Sequence, residues 1–402
     1  MSGEVIPYRS VYAYPWDIVP DFERVITEQG LSSVTLGLSY HAGKFIRTRS
    51  GQSRVYFPDD GVVYFDPTPG TYGKIKPIPH PDSSIRGVVT QFSERSELAL
   101  SAWVVLFHNT RLGMLYPDET VRNAWGDAYP YSLCPANPNV ADYAFKLVGD
   151  IANRVRLSSI VLETPGFLPY AHGFHHEFAQ VQSNRWLESL LGLCFCESCL
   201  KESQRDTGID SRNLQLHVRN LVDHYLESPA EISAEMAAAW VAADIIGHSE
   251  LSAFIRWRMD LVTKLIRQIR TELATGVALA VIPTIQRPTA STWIEGSDLR
   301  RLAEAADYLE VPLYEPSASA AIADAWDTLR RSGGDSSKIR AILRPGYPDL
   351  AAGEQFQTAI EGIAKLGIRD FAFYNWGLLR KNDFARIGPA LRVLEMERST
   401  RQ

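Results

Sequence analysis

Two sets of side chains in this chain could do chemistry. Cys194-Phe195-Cys196-Glu197-Ser198-Cys199 carries three thiols, and Cys134 lies upstream of it. Four thiols can hold Zn2+ tetrahedrally, because the cation lowers their pKa and makes thiolates of them. Such a site has no open position for water, so its expected work is structural. The bland alternative is four unrelated buried thiols. The second set is carboxylic. Glu163 ends the apolar segment SSIVLE, and Glu315 follows Leu313-Tyr314. Cleavage of a glycosidic bond needs two carboxyls, one to protonate the leaving oxygen and one to attack or to activate water. Glu163 leaves a buried strand with little solvent, and partial desolvation raises a carboxyl pKa, which suits the acid. Glu315 is the expected second carboxylate, with Glu310, Glu295 and Glu177 as competitors.

Around these carboxyls stand groups suited to a polyhydroxylated ring, whose C–H faces stack on aromatics and whose hydroxyls need polar partners. Trp16, His41, His108, Asn109, Tyr314, Arg344, Asn375 and Trp376 fall at the ends of predicted strands. His175, His176 and Glu177, with His172 before them, form a polar patch after the fourth strand. Hydroxyl binding, loop packing and a second metal are the three readings of that patch. Trp293 and Glu295 lie after the fifth strand, as a stacking platform and a sugar contact, or as a loop acid near a helix N-terminus. Arg344 could grip a substrate carboxylate or pair with Glu315. His41 and His108 could equally be buried histidines of the barrel top.

The elements that must position these groups recur as strand, loop, helix. The strands are expected at 10–14, 33–40, 101–108, 158–163, 277–283, 307–314, 339–344 and 370–375. Helices are expected at about 20–29, 139–155, 251–273, 297–305, 319–331, 353–366 and 383–394, from i, i+3, i+4 apolar spacing and capping residues. A short helix is expected at 93–100 and a hairpin around Asp60-Gly61. On the 251–273 helix, Arg256, Arg258, Lys264, Arg267 and Arg270 read as a solvated face. Eight βα units in alternation imply a parallel sheet closed into a (β/α)8 TIM barrel, an α/β fold. One domain covers 1–402, with inserted subregions at about 41–91 and 164–250, after strands 2 and 4. An open doubly wound sheet would want a Gly-rich turn after its first strand, and Tyr14-Pro15-Trp16-Asp17 is not one.

Composition narrows the partners. The 402 residues carry 41 Lys and Arg against 47 Asp and Glu, a net charge of −6, so no basic surplus suggests a nucleic-acid partner. Hydrophobic residues make up 45% and charged residues 22%, ordinary globular usage that excludes long disordered tracts. Met1–Pro20 has no apolar stretch and carries Glu4, Arg9 and Asp17, unlike a secretory signal. Apolar runs such as Trp103–Phe107 fall far short of the ~20 residues of a membrane span. A cytoplasmic protein with no membrane partner is expected, its cysteines thiols or metal ligands. Homo-oligomers are common for such barrels, and no interface stripe is legible.

The combination of Glu163 at a strand end, Cys134, and Cys194, Cys196 and Cys199 in C-x-C-x2-C spacing resembles the family 42 β-galactosidases. The resemblance covers the third and fourth units. It implies a (β/α)8 barrel with Glu163 as acid/base and a structural four-cysteine zinc site. Cys194–Cys199 is also similar to a stretch of uncharacterised hypothetical glycoside hydrolases. Two positions depart from the family: Leu162 stands where it has Asn before the acid/base, and Arg344 where it has its nucleophile Glu. The second carboxylate would then move to the sixth strand, as in barrels of the α-galactosidase type, which points to Glu315. The expected function is glycoside hydrolysis of a small oligosaccharide or glycoside. The alternatives are a lyase or isomerase acting on a sugar acid held by Arg344, and a sugar-binding barrel without catalysis.

Overall fold

The computed structural model describes residues 7–49, 53–173 and 179–399. Eight parallel strands form the centre: β1 Arg9–Ala13, β2 Ser33–Tyr40, β3 Ala99–Val105, β4 Ser159–Glu163, β5 Ala278–Val281, β6 Tyr308–Pro312, β7 Ile339–Leu343 and β8 Asp370–Phe373. Each pairs with its sequence neighbours, and β8 pairs with β1, so the sheet closes on itself. The expected (β/α)8 barrel is the fold of this chain. Every strand is rich in β-branched or aromatic residues and buried on both faces, as helix-covered parallel strands must be.

The lower barrel interior is polar, which the apolar strands do not suggest. Ser10 and Thr35 hydroxyls meet at 2.8 Å, and Ser101 and Ser159 at 2.6 Å. Glu310 accepts from the Tyr12 hydroxyl at 2.8 Å and pairs with Arg340 at 3.4 Å, all three buried. The Arg340 guanidinium lies between the rings of Tyr8 and Tyr308, at 3.9 and 3.8 Å.

Several elements differ from expectation. The helix before β3 spans Ser83–Arg95, not 93–100: Asp82 caps it through Ser84 N, and chain beyond Ser96 is already committed to β3. No hairpin turns at Asp60-Gly61. Gly61, at φ +63°, instead sends Val62–Val63 antiparallel onto Ser39–Tyr40, and the hairpin joins Phe45–Ile46 to Val55–Tyr56. Asp298, not Ser297, caps the helix Leu299–Ala305, accepting from Arg301 N. The last helix is broken into Lys381–Phe384 and Ile387–Ser399.

The connection from β4 to β5 folds into helices with an apolar core of their own, including Phe195, Phe254, Leu214, Val218 and the four cysteines. The long helix Ser249–Thr271 carries residues of both cores. Its Arg256, Lys264 and Arg267 are exposed as expected, but Arg258 is buried. Its guanidinium lies 4.2 Å over the Phe167 ring and donates to Ile294 O at 2.9 Å. An i, i+3 pattern alone does not separate a flanking arginine from one turned inward.

Candidate active site at the barrel mouth

The C-terminal ends of the strands deliver an aromatic box around one carboxyl. Glu163 ends β4 and shares a barrel-facing register with Val161, opposite Trp103 of β3. The Trp103 indole reaches up that face, and its Nε1–H donates to Glu163 Oε2 at 2.7 Å. Trp103 packs edge-on against Tyr12 and Tyr40, at 5.2 and 4.9 Å, and against Tyr374 at 5.9 Å. Tyr14 and Tyr374 hydroxyls meet at 3.0 Å, and the Tyr314 ring lies 5.9 Å from that of Tyr374. Burial pushes the Glu163 carboxyl up to about 7, and the single Trp103 bond only partly opposes this. The phenols of Tyr40, Tyr314 and Tyr374 all feel the Glu163 charge, which places them around it.

Glu295 is a second carboxyl within electrostatic reach. It is buried, accepts from Thr284 Oγ1 and from Ile285 N at 2.9 Å, and thus ties the end of β5 to its own loop. Burial raises it to about 7, and the Glu163 charge adds to that rise. Gly166 makes the approach of the two loops close: a Cβ there would lie 2.1 Å from Glu295 O.

Glu315 is placed differently. Its charged neighbours are Asp324, Arg287 and Asp349, and Glu163 is not among them. Its chain neighbour Tyr314 takes the place at the mouth, under Arg344 at 3.8 Å and Arg287 at 4.9 Å. Of Glu295 and Glu315, Glu295 is the carboxyl that feels the Glu163 charge. Glu310 is spent in the floor ion pair. Arg344 is held by Asp349 at 2.9 Å instead of by Glu315, which leaves it committed on one side.

Other expected sugar ligands turn out to be occupied elsewhere. Asn109 caps the helix Thr110–Leu115, accepting from Leu112 N at 2.9 Å, while its amide donates to Gly61 O at 3.2 Å. Trp376 is buried between Phe22 and Phe384, its Nε1–H donating to Asp17 O at 3.1 Å. Asn375 is buried, its Oδ1 accepting from Gly377 N. Trp293 packs on the second core and lines a small apolar cavity with Trp186, Leu190 and Ile255. Trp16 stays at the mouth, stacked on Tyr14 at 4.5 Å and flanked by Tyr56. His41 and His108 stack on each other at 4.0 Å beside Tyr40. His175, His176 and Glu177 lie outside the described residues. Tyr40 and Tyr374 stand at strand ends as expected, and Trp103 is the neighbour that strand-end reading missed. Strand alternation could have found Trp103, since it sits two residues before the level of Glu163 on the adjacent strand.

The four cysteines converge. Cys134 Sγ lies 3.5, 3.6 and 3.7 Å from the sulfurs of Cys199, Cys196 and Cys194. Ligands at the ~2.3 Å Zn–S distance of a tetrahedron stand ~3.8 Å apart, so the cluster has the size of a four-thiolate site. These spacings are far too long for disulfides. Hydrogen bonds from the neighbouring thiols push Cys196 down while burial pushes Cys134 and Cys199 up, so the cluster favours one thiolate by itself and four only with a cation. Arg258 adds positive charge beside them, and Arg122 N donates to Cys194 Sγ at 3.4 Å.

No protein-family model matches the chain, and no curated protein matches it. Solved structures do. The glycoside hydrolase domain of PgaB (BpsB) from Bordetella bronchiseptica is 14% identical, with 97% of this chain and 98% of that one covered and a TM-score of 0.55. The catalytic domain of a beta-amylase from Paenibacillus polymyxa is 12% identical over 97% and 98% of the two chains, with a TM-score of 0.55. Alpha-L-fucosidase isoenzyme 2 from Paenibacillus thiaminolyticus is 13% identical, with a TM-score of 0.53; 98% of this chain matches 50% of that one. Among the described residues no helix is long and apolar enough to cross a membrane. The chain thus shares its closed eight-strand barrel architecture with these carbohydrate-active proteins.

Proposed function

We propose that the chain is a glycoside hydrolase that uses Glu163 as its acid and Glu295 as the second carboxylate. The observation that carries this reading is Glu163 itself: a carboxyl at a barrel-strand end, walled by tyrosines, raised to about 7 and given one hydrogen bond. At neutral pH a large fraction of such a group holds a proton to give. With Oε2 occupied by Trp103, the proton sits on Oε1, from where it passes to the glycosidic oxygen as the bond breaks. Glu295 in its ionised form would attack the anomeric carbon or take a proton from water. Tyr40, Tyr314, Tyr374 and Trp16 supply the faces on which a sugar ring stacks. The fold neighbours act in support: a glycoside hydrolase domain, a fucosidase and a beta-amylase share this architecture. The sugar-acid lyase reading loses ground, because Arg344 is paired with Asp349 and stacked on Tyr314.

The test is hydrolysis of an oligosaccharide and aryl glycoside panel in 18O-labelled water. Wild-type enzyme should place one labelled oxygen in the product, and Glu163→Gln should lower kcat/KM about 10³-fold. Unsaturated product, or no cleavage of any panel member by wild type, contradicts hydrolysis. An unchanged rate in the variant removes Glu163 from the reaction.

The four cysteines would hold a structural Zn2+ that clips the loop after β3 to the insertion after β4. All four positions are filled by sulfur, so the ion takes no part in chemistry. Cys194→Ser should remove the zinc measured by mass spectrometry and destabilise the insertion. A purified wild-type chain with essentially no metal would defeat this assignment.

A further inference from the structure

We propose that His41, His108 and His172 form a site for a divalent transition-metal ion at the rim of the barrel mouth, separate from the four-thiol cluster. The three come from successive strand ends: His41 follows β2, His108 lies beyond β3, and His172 lies in the connection after β4. One ring nitrogen of each lies within 4.8 Å of the other two. His172 meets His41 and His108 edge-on, at centroid distances of 6.3 and 5.0 Å.

The surroundings hold these rings where a ligand set requires them. His41 Nδ1 lies 2.6 Å from the carbonyl oxygen of Ala42. A carbonyl can only accept, so Nδ1 carries the proton and Nε2 keeps its lone pair. Tying the far nitrogen to a backbone carbonyl is the common second contact of a metal-binding histidine. His108 is buried, and its backbone bridges to Ser132. Gly173 lets the next loop close in: a Cβ there would lie 2.7 Å from the Tyr131 ring, so only glycine brings His172 so near.

The ligand type selects the ion. Neutral imidazoles suit Zn2+, Cu2+ and Ni2+, whereas Mg2+ and Ca2+ want oxygen ligands. A metal at ~2.1 Å from each nitrogen holds them roughly 3.4 Å apart, so nitrogens that start farther apart close in on binding and the stacked His41–His108 pair tilts. Among the described residues three side chains can ligate here, and a tetrahedral ion held by these three would take its fourth ligand from water or a hydroxyl oxygen. The Tyr40 ring links this site to the tryptophan that holds Glu163: it stacks on His41 at 4.2 Å and meets Trp103 edge-on at 4.9 Å.

The test uses Zn2+ and Cu2+ on the full chain. Cu2+ should give an electron paramagnetic resonance spectrum split by ring nitrogens, and that splitting should vanish in His41→Ala and His172→Ala. Loss of an outer-sphere partner costs 10–100-fold in metal affinity, so loss of a ligand should weaken Zn2+ binding by calorimetry about 100-fold or more. His108→Asn tests the buried member, with circular dichroism to show that the fold survives. Glu163→Gln should leave both readouts unmoved, which separates this site from the hydrolytic one. No nitrogen splitting in wild type, or Zn2+ affinity the same in His41→Ala and His172→Ala as in wild type, overturns the site.

Discussion

The floor and the mouth of this barrel each enclose a glutamate, and the two are treated in opposite ways. At the floor, Glu310 receives the Tyr12 and Tyr8 hydroxyls and the Arg340 guanidinium, itself held between two tyrosine rings. At the mouth, Glu163 receives one indole N–H and otherwise faces phenols. Both carboxyls are raised by burial, but Arg340 leads the opposing effects at the floor, whereas among the described residues only the Trp103 hydrogen bond opposes burial at Glu163. The difference teaches that burial alone does not mark a reactive carboxyl. The inventory of partners does: a group fully paired is architecture, and a group left with one donor still has an oxygen and a proton to spend.

That contrast can be broken by substitution. Glu310→Ala should cost about 3–5 kcal/mol in urea unfolding, because Arg340 is left buried with its charge uncompensated. Replacing Arg340 and Glu310 together by Met and Leu should recover most of the loss; an equally large loss in the double variant would contradict the paired-floor account. The mouth should behave in reverse. The raised value of Glu163 means that its contribution to stability is full below its unfolded value of 4.5 and is lost as pH rises through about 7. Glu163→Gln should therefore stabilise the fold at pH 8, by at most about 3 kcal/mol, and by almost nothing at pH 4.5. Equal effects at both pH values would place the carboxyl near its ordinary range. The smallest effect concerns the rim. Asn109→Ala removes a helix cap and should cost about 1 kcal/mol with sugar cleavage unchanged within about twofold; a large rise in KM with unchanged stability would return Asn109 to the substrate.

Much of the frame was legible in the sequence. The alternation of apolar strands with i, i+3, i+4 helices predicts the eight units, because a parallel strand buried on both faces has no other cover than helices. Glu163 was legible because the apolar run SIVL stops at it, and the cysteines because three of them share one short segment and the fourth, Cys134, falls in the preceding βα loop. The rest was not legible, for physical reasons. Whether Glu295 or Glu315 faces Glu163 depends on how a loop turns after its strand, and local patterning does not encode that. Trp293 and Trp376 resemble sugar platforms in sequence; in the fold Trp376 is a core residue and Trp293 packs, partly buried, on the second core, since an indole serves either purpose. Arg258 lies four residues after Phe254, in step with the apolar stripe, and turns inward onto Phe167 and the cysteine cluster.

The most direct test of the mouth compares leaving groups. A sugar alkoxide needs a proton as it departs, and a dinitrophenolate does not. If Glu163 is the acid, Glu163→Gln should lower kcat/KM about 10³-fold on an oligosaccharide and far less on the matching dinitrophenyl glycoside. The same loss on both substrates, or no loss on either, would contradict proton donation by Glu163.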